Sequence, residues 1–244
     1  ENKGAAGGDR ISLWRFEQRL ELNLLHLAER VQVGSYQPGR VRMVSIYAGG
    51  KRREIAVWCI ADRVLQRAVL QVVEPLFERR FLPTSFGYRR GRSVGDAVRR
   101  VLHLRDQGYT WVVDADLKSY FDTIPHERLL ARVQERIADG RVMALIEAFL
   151  RQGVMEEMKD WQPTERGTPQ GAVISPLLAN VYLNPLDHKM AQAGWEMTRY
   201  ADDFIIQCRS QAEAQSALET VKQWVEAEGL QLHPTKTRIV DATQ

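Results

Sequence analysis

Two adjacent acids, Asp202 and Asp203, stand in the otherwise largely apolar stretch RYADDF, residues 199–204. The residues on either side predict two strands, joined by a two-residue turn with both acids at its tip. Adjacent carboxylates repel each other. The pair is therefore either a solvated turn, where Asp is common, or one side of a site for a divalent cation. A third carboxylate that reaches the same point would favour the cation.

A third carboxylate is available at Asp116, the last residue of the run WVVDAD, residues 111–116. This run predicts a buried strand, and if it neighbours the RYADDF hairpin the three acids meet at one sheet edge. Acids on separate strands suit two Mg²⁺ ions roughly 3.5–4 Å apart. An oxygen-only set without His or Cys suits Mg²⁺ better than zinc. Asp114 shares a strand face with Asp116, because side chains alternate, and is interpreted as a supporting group or a solvated edge acid.

The composition indicates a globular chain, with 244 residues of which 44% are hydrophobic. No apolar run approaches the roughly 20 residues of a membrane span. Cys59 and Cys208 predict buried free thiols of a reducing cytoplasm. Residues 1–100 hold 19 Lys and Arg against 10 Asp and Glu, whereas residues 101–244 hold 15 against 21. This asymmetry indicates a basic surface for a polyanion beside an acidic one for cations, although scattered solvated arginines would also explain many of the charges.

The order of the predicted elements indicates an α+β fold. Residues 12–34 predict one amphipathic helix, residues 41–60 a β-hairpin, and a further helix runs from Asp62 with an interruption near Pro75. Ser93 and Asp96 have the spacing of a capping box at the start of the next helix. From residue 111 onward the order is strand, helices, hairpin, helix and strand. That order predicts a split βαβ arrangement, an antiparallel sheet backed by helices.

Ordered segments along essentially the whole chain resemble reverse transcriptases of the bacterial group II intron type. They are NKGAAGGD (2–9), ADRVLQ (61–66), SFGYRRGRS (85–93), VVDADLKSYFD (112–122), TPQGAVISPLLANVYL (168–183), RYADDF and GLQLHPTKTRIV (229–240). The resemblance implies a right-hand polymerase, with residues 1–110 mostly fingers, residues 111–244 mostly palm, and part of the fingers returning in 141–180. It also implies a piece of a longer protein, because no segment resembles the family's thumb.

The resemblance implies roles for the acids and for one lysine. Asp116 and Asp202 would bind the catalytic metals with Asp203 beside them, and Leu117 is counted among the metal-binding positions. Two Mg²⁺ ions are implied, with Mn²⁺ as a substitute. Lys236 matches a late-palm lysine that would donate a proton to the leaving pyrophosphate, or else it is a solvated lysine at a strand edge.

The resemblance also implies a nucleotide pocket. Phe121 would be an aromatic gate that leaves no room for a ribose 2′-hydroxyl, with Tyr120 as the neighbouring candidate or a core residue. Gln170 and Gly171 match the motif that lines the nucleotide and the template, where glycine permits close approach of the backbone. Ala172 stands where the family usually has a further glycine.

Basic residues in the first half match the family's phosphate contacts, although each could be an ordinary surface charge. The incoming triphosphate would meet Lys51, Arg52 and Arg53, of which Arg53 aligns best and has a guanidinium suited to bidentate binding. The template backbone would meet Arg89, Arg90 and Arg92. The chain departs from the family at Ile55, Ala56, Val57 and Trp58, where Leu-Gly-Ile-Pro is usual, which leaves the path of that strand open.

The preferred interpretation is an RNA-directed DNA polymerase that extends a DNA or RNA primer on an RNA template with dNTPs in a bacterial cytoplasm. It would also bind its own intron RNA and need no membrane. An RNA-dependent RNA polymerase shares the palm chemistry, but Phe121 argues against it. A non-catalytic RNA-binding splicing cofactor would need the basic half without the acids, and a reverse transcriptase of a bacterial defence system stays open.

Overall fold

The structure is a computed structural model that describes residues 4–48, 50–152, 165–169 and 171–243, without the side chains of residues 48 and 51–53. The described residues form two compact units. The first comprises Glu1–Pro75 and Pro125–Ser175, and the second comprises Leu76–Ile124 and Pro176–Gln244. The assignment of these units to fingers and palm stays a prediction.

The helices and strands follow one another as a mixed α and β chain. The helices of the described part are α1 Leu13–Glu17, α2 Leu20–Gln32, α3 Ile60–Glu78, α4 Val94–Asp106, α5 Tyr120–Thr123, α6 His126–Gln134, α7 Gly140–Arg151, α8 Ser175–Gln192 and α9 Gln211–Ala227. The strands are β1 Arg42–Ala48, β2 Lys51–Val57, β3 Trp111–Ala115, β4 Glu196–Tyr200, β5 Asp203–Cys208 and β6 Arg238–Asp241.

The first unit contains the predicted hairpin and a small aromatic core. Strands β1 and β2 pair antiparallel from Arg42 opposite Val57 onward. Directly after β2, the chain buries Trp58 completely, and its ring meets Phe149 of α7 edge to face at 6.2 Å. An aromatic ring of this size contributes much apolar area to a core. Trp58, the last residue of the segment that departs from the family, therefore anchors the end of β2 in this core.

The second unit is built on a four-stranded sheet in the order β4-β5-β3-β6, in which every neighbouring pair is antiparallel. Helices α4 and α9 pack on it, and the core is formed by apolar residues of the strands and of α9. Among the buried apolar residues of these elements are Val113, Ala115, Phe204, Ile206, Cys208, Val221 and Val225. The predicted α+β class with an antiparallel sheet backed by helices is confirmed.

Two predicted helix boundaries were wrong. The single helix expected over 12–34 is two helices, because the side-chain amide of Asn23 donates to the Phe16 carbonyl at 2.8 Å and Arg19 leaves the helical conformation. Such side-chain bonds compete with the helix ladder. The interruption expected near Pro75 is absent, since α3 continues to Glu78. Proline removes one amide donor, but the buried Val73 and Phe77 fix the turns on either side.

Other local predictions are confirmed. Ser93 and Asp96 form a complete capping box at the start of α4, with each side chain accepting from the other residue's amide. Cys59 and Cys208 are both free and buried, and burial raises the pKa of each thiol to about 11. Within the part of the chain that the structure describes, no helix has the length and apolar character needed to cross a bilayer.

Candidate active site

Strands β3 and β5 bring the first and the last of the three predicted acids together. Their ladder ends with Ala115 opposite Phe204, and Asp116 and Asp203 are the chain neighbours of this last pair. The neighbourhood that the sequence required for a shared site is therefore present at this end of the sheet.

The turn that carries Asp202 differs by one residue from the prediction. Tyr200 pairs with Asp203, so the two loop residues are Ala201 and Asp202, and Asp203 is the first residue of β5. Ala201 has a φ of 60°, the left-handed value that tight hairpin turns require at their first loop residue. The two acids therefore have different surroundings: Asp202 is half-buried in the turn, whereas Asp203 is exposed on the strand.

The three carboxylates act on one another electrostatically. The pKa of Asp202 is raised, first by burial and then by the charges of Asp203 and Asp116. The pKa of Asp203 is raised as well, first by burial and then by Asp116, while the ammonium of Lys236 opposes the shift. Like charges at a shared site disfavour full ionisation. A cation at this point would relieve that repulsion.

Lys236 supplies such a cation from the protein itself. Its Nζ atom donates a hydrogen bond to Oδ2 of Asp116. This bond, and then the negative charge of Asp116, raise the pKa of Lys236 above its ordinary value. Beside it, Nε of Arg238 lies 3.4 Å from Oδ2 of Asp114, which gives the predicted supporting acid a partner of its own.

The residues fit a divalent cation in donor type and charge. The donors are carboxylate oxygens, the ligands that Mg²⁺ prefers, and the cluster already attracts an ammonium group. Among the described residues, however, no three His, Cys, Asp or Glu side chains converge as a formed metal centre. Leu117 has a buried apolar side chain, so only its main-chain oxygen could serve as a ligand. The predicted metal roles stay predictions.

The two aromatic candidates for the sugar gate have different environments. Tyr120 is buried and its hydroxyl donates to the Ala179 carbonyl at 2.7 Å. Phe121 is only half-buried and meets the ring of Tyr88 edge to face at 6.2 Å. Tyr88 has a φ of 60° and is 51% exposed. Its pKa is raised, first by burial and then by the charge of Asp202.

The arginines of the basic segment at 89–92 differ in burial and in their hydrogen bonds. Arg89 is buried, and its guanidinium donates to the carboxylate of Glu78 and to the carbonyls of Leu82 and Ser85. Its hydrogen-bonding capacity is thus used inside the unit. Arg92 donates to the Pro83 carbonyl at 2.8 Å, and Arg90 is exposed. The predicted template contacts stay predictions.

The remaining predicted residues belong to the first unit. Lys51, Arg52 and Arg53 lie on β2, and their side chains, like all of Gln170, fall outside the described residues. Gly171 has a φ of 104°, and a Cβ atom there would lie 2.5 Å from the Ala56 carbonyl oxygen. This position therefore requires glycine because of the neighbouring strand β2. The predicted close approach to the nucleotide and the template stays a prediction.

Sequence reasoning missed a buried polar group behind the hairpin. Arg199 on β4 is fully buried and bonds to Asp187 and Asn180 of α8. One signal could have found it. An arginine in a strand with apolar neighbours needs buried partners, and the two polar residues seven positions apart on α8 share one helix face.

The chain belongs to the reverse transcriptase (RNA-dependent DNA polymerase) family, whose model matches residues 44–244. A solved structure of telomerase from Candida albicans with a fragment of telomeric RNA shares the fold, with a TM-score of 0.63 at 12% identity, and the match covers 98% of this chain and 49% of that one. Both findings agree with the predicted polymerase fold.

Curated relatives identify the branch of the family. Protein YkfC of Escherichia coli K12 is 39% identical over 193 residues, which are 76% of this chain and 50% of YkfC. Group II intron-encoded protein LtrA of Lactococcus lactis subsp. cremoris is 32% identical over 189 residues, 76% of this chain and 31% of LtrA. The predicted likeness to group II intron reverse transcriptases is confirmed, and the chain spans half or less of the length of these relatives.

Proposed function

We propose that this chain carries the catalytic centre of an RNA-directed DNA polymerase. The observation that carries the proposal is the placement of Asp116 beside Asp203 at the end of the β3–β5 ladder, with Asp202 in the adjoining turn. Three mutually repelling carboxylates on a rigid sheet are costly to keep unless their charge has a use. Membership of the reverse transcriptase family supports nucleotide transfer as that use.

Asp116, Asp202 and Asp203 would hold two divalent cations, with the main-chain oxygen of Leu117 as a further donor. Mg²⁺ fits the oxygen-only donor set best, and Mn²⁺ would be accepted in its place. When bound, such ions activate the primer 3′-hydroxyl and stabilise the charge on the leaving pyrophosphate. The side chain of Lys236 would exchange its bond to Asp116 for one to the pyrophosphate.

In the proposed reaction the primer 3′-hydroxyl loses its proton to water and its oxygen forms a bond to the α-phosphorus of a dNTP, while the bond from that phosphorus to the pyrophosphate oxygen breaks. The protein aligns the reactants and stabilises charge rather than forming a covalent intermediate. Lys236 would give its proton to the pyrophosphate once its bond to Asp116 is broken, because that bond raises the pKa of the lysine and makes it a weaker acid while it lasts.

Phe121 would select deoxynucleotides, because its half-buried ring is partly accessible beside the ring of Tyr88. Tyr120 is the weaker candidate, because its hydroxyl is hydrogen-bonded to the Ala179 carbonyl. The basic residues at 51–53 would bind the triphosphate together with Gln170 and Gly171. Arg90 and Arg92 are the better candidates for the template backbone, because Arg89 is buried.

Primer extension on an RNA template in Mg²⁺, with either dNTPs or rNTPs, tests the proposal. The decisive variant is the double change Asp202→Asn, Asp203→Asn, and the matched control is Asp106→Asn, an exposed acid at the end of α4. We expect extension with dNTPs that the double variant loses and the control keeps. Extension that survives the double change, or none by the unaltered chain, would contradict the proposal.

A second function, binding of group II intron RNA, is supported by the similarity to LtrA and by the excess of basic residues in 1–100. It needs the positive charges but not the acids. The test is binding of a group II intron transcript in the presence of competitor tRNA. We expect the double Asn variant to bind as tightly as the unaltered chain, with affinity falling as salt rises. Equal binding of the competitor would contradict it.

We place both functions in the bacterial cytoplasm, where the two free thiols would stay reduced.

A further inference from the structure

Arg199 and Asp187 form an ion pair from which water is excluded. Nε and Nη2 of Arg199 donate to the two carboxylate oxygens of Asp187 at 2.8 and 2.6 Å, and both side chains are fully buried. Burying two charges costs about as much as their attraction returns, so apolar residues of similar volume would stabilise a core equally well. Stability alone does not explain this pair.

The remaining guanidinium nitrogen reaches the turn that carries Asp202. Nη1 of Arg199 donates to the Ala201 carbonyl at 2.7 Å and to Oδ1 of Asn180 at 2.8 Å. Ala201 is held in the left-handed conformation, which is uncommon for residues other than glycine. The bond from Arg199 therefore fixes the turn in a backbone conformation that its own residues do not favour.

The same buried group also fixes the segment 84–88. The amide of Asn180 donates to the Gly87 carbonyl at 2.9 Å. The backbone of Arg199 accepts from the Phe86 amide at 2.9 Å and donates to the Thr84 carbonyl at 3.0 Å. The last residue of the segment is Tyr88, whose ring meets Phe121.

We propose that Arg199, oriented by Asp187 and Asn180, is a positioning residue that couples the Asp202 turn to the 84–88 segment. The Asp202 carboxylate and the Tyr88–Phe121 pair are then held in a fixed position relative to each other. The Asp202 turn is bonded to the Arg199 guanidinium, and the 84–88 segment is bonded to the side-chain amide of Asn180. The functional part of this inference rests on the proposed polymerase activity, whereas the coupling itself does not.

Hydrogen exchange tests the coupling without any activity. Asn180→Ala removes the bonds to Gly87 and Arg199 but keeps the Arg199–Asp187 pair. We expect amides in both 84–88 and 200–204 to exchange about five to ten times faster, the factor that follows from losing one or two buried hydrogen bonds. Tyr182→Phe is the matched control on the same helix, because it removes a buried bond to the Glu228 carbonyl.

The control should leave exchange in both segments unchanged even if it lowers the melting temperature as much. Faster exchange in only one of the two segments, or in neither, would overturn the coupling. Arg199→Lys, which keeps the charge but cannot make all four bonds, provides a second variant and should give the same two-segment pattern if it folds.

Primer extension then tests the consequence for function. Asn180→Ala should raise the Mg²⁺ concentration needed for half-maximal extension and increase incorporation of rNTPs relative to dNTPs, each by about threefold to tenfold. If Arg199 only stabilised the fold, Asn180→Ala would lower the amount of active protein without changing the Mg²⁺ requirement or the ratio of rNTP to dNTP incorporation. That result would overturn the proposed effect on polymerase activity. If the unaltered chain extends no primer, the polymerase proposal fails, and the exchange measurement still decides the coupling.

Discussion

Gly87 lies so close to Ala201 that a Cβ atom on Gly87 would be 2.2 Å from the Ala201 amide nitrogen. No side chain can enter this space unless one of two backbone segments moves. The glycine at position 87 therefore sets how closely the 84–88 segment approaches the turn with Asp202.

Gly87→Ala should displace the turn and lower stability. We expect a loss of about 1–3 kcal/mol, typical of overpacking, and a fall in melting temperature of several degrees, measured by circular dichroism. Gly95→Ala is the matched control, since a Cβ atom in the first turn of α4 would meet only side-chain atoms at 3.5 Å and beyond. That change should be neutral or stabilising. An equal loss in both variants would contradict the close approach as the cause.

Lys236→Gln should lower kcat for dNTP incorporation by about a hundredfold, the lower range for loss of a positioned acid, with little change in KM. Single-turnover extension measures this. Arg238→Gln is the control, because it removes a nearby positive charge that pairs with Asp114 instead of Asp116. Equal effects of the two variants would mean that Lys236 acts only through its charge.

Phe121→Ala should admit ribonucleotides, because it opens the half-buried position beside Tyr88. We expect the ratio of rNTP to dNTP incorporation to rise by about tenfold or more, which is the discrimination that one steric contact typically provides. Tyr120→Phe loses only the bond to the Ala179 carbonyl, so it should lower the melting temperature by a few degrees without changing the ratio. The reverse result would assign the gate to Tyr120.

The sequence predicted the sheet and the acids better than the contacts behind them. The apolar run at 111–116 and the RYADDF hairpin were sufficient to place Asp116 near Asp203, because alternation and strand order determine which residues share an edge. The position of the turn was wrong by one residue, since an alanine with positive φ is not expected from its type. The Arg199 group depends on packing between β4 and α8. The local pattern indicates that Arg199 needs buried partners, but it does not specify which helix supplies them.

Asp62 gives the chain a pH-dependent stability in its first unit. The carboxylate is buried, which raises its pKa above the ordinary value of 3.8, while hydrogen bonds from the Tyr36 hydroxyl and the Gly39 amide partly oppose this shift. A raised pKa means that the folded state binds the proton more tightly than the unfolded state. The stability contribution of this group is therefore complete at low pH and is lost as pH rises from about 3.8 through the raised value.

Melting temperatures of the unaltered chain and of Asp62→Asn across this range measure that loss. We expect the difference between the two proteins to change in favour of Asp62→Asn as pH rises, and then to become constant once Asp62 is ionised. Tyr36→Phe removes the stronger opposing hydrogen bond, so it should raise the pKa of Asp62 further and extend the change to higher pH. A difference that is independent of pH would show that Asp62 titrates alike in the folded and unfolded states.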